Sequence, residues 1–184
     1  MRSDASKRRA AIVREARILF AARGGGVPLE SVADAAGVGI ATLYRNFESR
    51  SALADAVTLA ILEDIGVAAD QALPRLAADP GAEWHAFSMS LVDLDLGALT
   101  DALAHVAAGD ISGPVRDAQV RTLARVTELL TVARAEGMVR ADIDALELVL
   151  SIGMITRPQP AAIRAATPHL VPRLVAILEA GMRA

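Results

Sequence analysis

Thr42, Tyr44, Arg45, Asn46 and Arg50 fall within nine residues of one another. They offer no nucleophile–base pair, but they can read and grip a polyanion. The guanidinium fork of Arg45 matches the O6 and N7 acceptors of guanine, and the methyl of Thr42 can meet that of thymine. At a spacing of three the two share a helix face. For Arg45 the plainer alternative is a contact to phosphate alone. Gly39 and Ile40 open the same stretch, where the free N–H groups of a helix start favour phosphate. Lys7, Arg8 and Arg9 form either an arm toward a minor groove or a merely solvated basic terminus.

Other chemistries are poorly served. Asp93 and Asp95 stand two apart and so do not share a helix face. His85, His105 and His169 lack metal-ligand spacing of the His-Glu-x-x-His kind. There is no cysteine, which removes disulfides, thiolate metal sites and a thiol nucleophile. No phosphate-binding loop is present in the sequence. The expectation is a non-enzyme with no cofactor and no metal.

Charge sharpens this reading. The 184 residues carry a net charge of −3, which alone argues against a nucleic-acid binder. Residues 1–50 nevertheless hold nine basic and five acidic side chains, a balance of +4 that leaves −7 on the rest. A basic head on an acidic body suits a protein that meets phosphate at one end only. A basic N-terminus is also common without that role.

The elements that must position these groups are helical. Hydrophobic residues make up 53% and aromatic residues 3%. Ala and Leu dominate, and period-2 runs of β-branched residues are missing, so the fold class is all-α. The first helix is predicted over 6–23, with Ile12, Val13, Ala16, Leu19 and Phe20 on one stripe. Gly24–Gly26 ends it. Pro28 suits the start of a second helix over 29–36, and Gly37–Gly39 is a tight turn. A third helix over 40–47 sets Leu43 and Phe47 inward at i, i+4, with Ala41, Thr42 and Arg45 outward. Two short helices across a glycine turn are the helix-turn-helix design.

Ser49 caps a longer helix predicted over 50–73 and ended by Pro74. Asp79-Pro80-Gly81 reads as a turn. Helices follow over 82–93, 97–107, 113–136 and 144–155. A break at Arg157–Pro160 precedes a last helix over 168–182, with Thr167 as its cap. The basic start, interrupted by Arg14, Glu15 and Arg17, does not read as a signal peptide. The longest weakly polar run, Leu148 to Thr156, is too short for a membrane span. A soluble, cytoplasmic chain without a membrane partner is expected.

From Ile12 to Val57 the sequence resembles the DNA-binding domain of the TetR (tetracycline repressor) family. The string Leu29-Glu30-Ser31-Val32-Ala33-Asp34-Ala35-Ala36-Gly37-Val38-Gly39-Ile40-Ala41-Thr42-Leu43-Tyr44-Arg45-Asn46-Phe47, with Ser49, Arg50 and Leu53 after it, carries the resemblance. It matches in register an Ala-Gly-Val turn and a Leu-Tyr-x-His-Phe recognition helix. It covers about a quarter of the chain. Three positions depart: Asn46 stands for the usual His, Pro28 for a capping Ser or Thr, and Ala41 for a frequent Gly.

The resemblance implies a domain over 1–50 that binds double-stranded DNA and a domain over 51–184 that binds an effector and dimerises. It assigns Tyr44, Asn46 and Arg50 to phosphate; otherwise Tyr44 is a core aromatic with a solvated tip. One short helix contacts few bases, so a homodimer on a palindrome is the expected remedy. Leu146, Val149 and Leu150 on one late helix, and Leu170, Leu174 and Leu178 on the next, are candidates for that interface; an internal core is their alternative. Trp84, His85, Phe87, Met89, His105, Met138 and Met154 are candidates to line a small-molecule pocket. Each is otherwise ordinary core or surface. The implied function is a ligand-responsive transcriptional regulator, with repression as the expected mode. The competing reading is a helical interaction module without ligand response, which would show no salt-sensitive duplex binding.

Overall fold

The computed structural model describes residues 2–24, 26–94, 96 and 112–183. Among them all regular structure is helical, in the order α1 (Arg2–Arg23), α2 (Leu29–Ala35), α3 (Ile40–Asn46), α4 (Arg50–Leu76), α5 (Pro80–Val92), α6 (Gly113–Ala135), α7 (Ala145–Ile155), α8 (Ala161–Ala166) and α9 (Leu170–Met182). The helix expected over 97–107, which contains His105, lies outside the described residues. No described helix is long and apolar enough to cross a membrane.

The head is three helices packed at one end of a core that continues into the body. Ile12, Ala16 and Phe20 recur at i, i+4 and i+8, so α1 buries one stripe. Leu29, Val32 and Ala33 of α2 join it, with Leu43 of α3 and Phe47 just beyond. Gly37 makes the sharp turn between α2 and α3. Its φ is +65°, its N–H donates to Asp34 O, and the Val38 N–H donates to Ala33 O. That pair of bonds closes a helix end through a left-handed residue. A Cβ at Gly37 would meet nothing within 4 Å, so the backbone alone demands glycine. Gly37→Ala should therefore cost about 1–2 kcal/mol in denaturant unfolding of the head. Gly39→Ala is the control: its φ is −68° and its space is open, so no comparable loss is expected.

α4 leaves the head and becomes the spine of the body. Ser49 Oγ accepts from the Ala52 N–H at its start, as the sequence suggests. Leu53, Val57, Ile61, Ile65 and Ala69 are buried along it. α6 lies against α4, and the buried Thr122 hydroxyl donates to Leu62 O at 2.9 Å. α5 also flanks α4, and α7 and α9 close the far side against α5.

Several helix limits differ from the sequence reading. α1 begins at Arg2, before the expected Ser6. Pro74 does not end α4: it lies in the last turn, between buried Ala72 and Leu76 that hold that turn in the core. Asp79-Pro80-Gly81 is not a free turn but the start of α5, with Asp79 Oδ1 capping Ala82 and Pro80 in the first turn, where its missing N–H costs nothing. Nor does Thr167 cap the last helix. A short α8 intervenes, and the Thr167 hydroxyl donates back to Ile163 O. At α7 a reciprocal capping box forms between Asp144 and Glu147.

Candidate nucleic-acid interface

α3 stands on Leu43 and Phe47, both buried, and turns the rest of its surface outward. Ala41 and Arg45 are exposed, Thr42 and Asn46 half-buried, and Tyr44 is 48% exposed. Tyr44 is thus a surface aromatic, not a core residue. Gly39 precedes the first turn and brings no capping side chain to it. Thr42 and Arg45 therefore share one face of the short helix, with exposed Tyr44 beside Arg45 on the adjoining face and a bare first turn before them.

The polar groups are held in place before any partner arrives. Arg45 Nε donates to Ala41 O at 3.1 Å, and its Nη2 to Thr42 Oγ1 at 3.3 Å. The two candidate base readers are thus hydrogen-bonded to each other at the surface. These exposed bonds to neutral acceptors are weak and can be exchanged for stronger bonds to an anion. Asn46 Nδ2 donates to Thr42 O at 2.8 Å, so its amide is engaged with its own helix. Arg50 Nη1 donates to Val27 O and fastens the start of α4 to the segment before α2. Arg9 stacks over the Phe47 ring at 4.5 Å. Arg14 pairs with Glu15 at 2.9 Å. The basic count of the head thus overstates the charge offered outward, because Arg9, Arg14 and Arg17 have partners within the chain.

The expected pocket residues do not converge among the described residues. Trp84 and Phe87 are buried and pack on one another, ring centroids 5.9 Å apart, inside the main core. Met89 is half-buried, and Met138 packs on the same core. His85 is on the surface, where Nδ1 meets Glu179 of α9 at 3.1 Å. Met154 is 71% exposed on the outer side of α7. An open cleft of about 420 Å³ lies instead between α1 and α4, lined by Arg9, Val13, Arg17 and Ala56 among others. None of the expected pocket residues borders it.

The interface candidates divide in two. Leu146 and Leu170 are exposed, and Leu150 and Leu174 half-buried. Val149 is buried and Leu178 packs on the core, so these two face their own subunit, the turn of each helix having carried them inward. Ile177, at 61% exposure, is missed by the sequence reading. Its spacing of i, i+4 and i+7 with Leu170 and Leu174 is the signal that finds it.

A helix-turn-helix head on a helical body places the chain in the class of DNA-binding regulators. Residues 12–57 match the family described as bacterial regulatory proteins, tetR family, and residues 79–184 match the transcriptional regulator SbtR-like C-terminal domain. A TetR transcription regulatory protein of Mycobacterium vanbaalenii is 32% identical, over 100% of this chain and 99% of its own, with a TM-score of 0.62. The TetR transcriptional regulator SCO0520 of Streptomyces coelicolor is 28% identical, over 95% and 98%, with a TM-score of 0.61. The ketosteroid transcriptional regulator KstR2 of Mycobacterium tuberculosis, 18% identical over 96% and 95%, shares the fold with a TM-score of 0.59. No curated protein matches the chain. The chain belongs to the TetR family of transcriptional regulators.

Proposed function

We propose that this regulator is a repressor that binds a palindromic operator as a homodimer and is released by a small apolar molecule. The observation that carries the reading is the outward face of α3, where half-buried Thr42 and exposed Arg45 stand on a buried Leu43–Phe47 footing. Residues 1–50 form the reading head and residues 51–184 the sensing and dimerising body. Thr42 and Arg45 contact base edges. Tyr44 and Arg50 contact phosphate, with Gly39 and Ile40 leaving the first turn of α3 open to it. Asn46 steadies the helix as much as it touches DNA. The exposed apolar residues of α7 and α9 support the dimer, since two such helices from each subunit make a four-helix interface. A ligand favouring a head spacing that does not fit the operator must, by linkage, bind operator-free protein more tightly. Such a protein works in the cytoplasm, beside the chromosome.

Selection of bound duplexes from random DNA, repeated with a panel of small apolar molecules, tests the reading. A palindromic site is expected, and recovery of none would sink the central claim. On that site, Arg45→Ala should relax preference at one base pair in each half-site, by about 1–3 kcal/mol. Arg50→Ala should instead weaken all duplexes alike and shallow the salt slope by about one for each phosphate it no longer neutralises. If both variants lose affinity without any change of preference, Arg45 reads no base.

A further inference from the structure

Arg17 is a cation placed where a surface head should not need one. It lies in α1, yet its side chain is only 15% exposed. Nη1 donates to Asp64 Oδ2 at 2.5 Å, in the middle of α4. Nη2 donates to Leu94 O at 2.6 Å, just past the end of α5. Nε is buried without a partner, so the guanidinium is held by these two contacts and not by general solvation. The rigid planar fork joins three elements at once: the first helix of the head, the spine that continues from the head, and the end of a body helix. The bond to the Asp64 carboxylate joins two opposite charges, and Leu94 itself packs on the main core.

We infer that Arg17 is a positioning residue that sets the angle of the DNA-binding head against the body, by bridging Asp64 of α4 and the carbonyl of Leu94. A movement of the α5 end relative to α4 cannot leave both bonds intact, so α1 must follow or lose one of them. The head's pose is thereby tied to the body through residues that are not part of α3. This rests on the proposed homodimer with two reading heads.

The chain has no cysteine, so a single introduced one reports cleanly. A spin label at Asp34→Cys, on the exposed side of α2, measures the distance between the two heads of a dimer by dipolar spectroscopy. The labelled protein with Arg17 intact should give one narrow distribution. Adding Arg17→Ala should broaden or shift it and weaken binding to the selected duplex about tenfold, as expected if about a tenth of the heads keep the competent spacing. Arg17→Lys, able to keep the bond to Asp64, should restore part of both. Should Arg17→Ala fail to fold, Asp64→Asn, which leaves Arg17 and its bond to Leu94 O in place, is expected to broaden the distribution to a lesser degree. A lowered melting temperature with an unchanged distance distribution would overturn the inference, because a merely stabilising ion pair behaves that way. Absence of any dipolar signal in the labelled protein with Arg17 intact would instead count against the homodimer.

Discussion

Leu43→Ala should abolish operator binding while leaving most of the helical circular dichroism in place. Leu43 is fully buried, in the same core as Ile12, Ala16, Phe20, Val32 and Phe47. Truncating such a leucine costs about 2–5 kcal/mol, as lost transfer energy plus an unfilled cavity. At about 0.05–0.15 kcal/mol per residue, a head of some fifty residues holds a stability of the same order. The core is continuous from head to body, but its larger part lies along α4, α5, α6 and α7 and does not touch the truncated side chain, so the loss should be greatest in the head. Hydrogen exchange should show α2 and α3 unprotected and α6 protected, and duplex affinity should fall by at least about a hundredfold. Leu43→Met, nearly conserving volume, should cost less than about 1.5 kcal/mol and retain binding. Wild-type affinity in Leu43→Ala would mean that the reading face does not depend on this footing.

That footing is legible in the sequence because its determinants are local. Leu43 and Phe47 stand one turn apart, and Gly37 follows a helix where a left-handed residue is needed, so period and turn chemistry identify both. The roles of the arginines are not legible. In sequence, Arg17 and Arg45 are two cations in a basic head. In space Arg17 is nearly buried between Asp64 and Leu94 O, and Arg45 lies exposed along its own helix. Sequence separations of 47 and 77 residues carry no periodic signal. Prolines mislead for a related reason. Pro74 and Pro80 look like breaks, but one sits in a last turn held by the core and the other in a first turn, where a missing N–H is tolerated. The pocket candidates rest on residue type, and type does not distinguish Phe87 in the core from Met154 on the surface.

The apolar face of α7 and α9 leads to the second large effect. Leu146, Leu150 and Met154 recur every four residues on α7, while Ala145, Leu148, Val149 and Ile152 fill the opposite side. On α9, Leu170, Leu174 and Ile177 face outward, and Val175 and Met182 inward. The two helices lie against one another, and each carries an outer apolar stripe. Ile177→Glu should leave the isolated subunit folded, because a residue 61% exposed is not part of its core. In the proposed dimer the same change buries an unpaired carboxylate, at about 3–5 kcal/mol, and two-fold symmetry imposes it twice. Sedimentation should then show monomers at concentrations where the unsubstituted protein is dimeric. Operator affinity should fall by more than about a hundredfold, since one α3 helix alone contacts too few base pairs to compensate. Ile177→Ala, which removes area without adding charge, should weaken the dimer far less. A dimer of unchanged affinity in Ile177→Glu would move the interface away from α9, and with it the geometry that spaces the two reading heads.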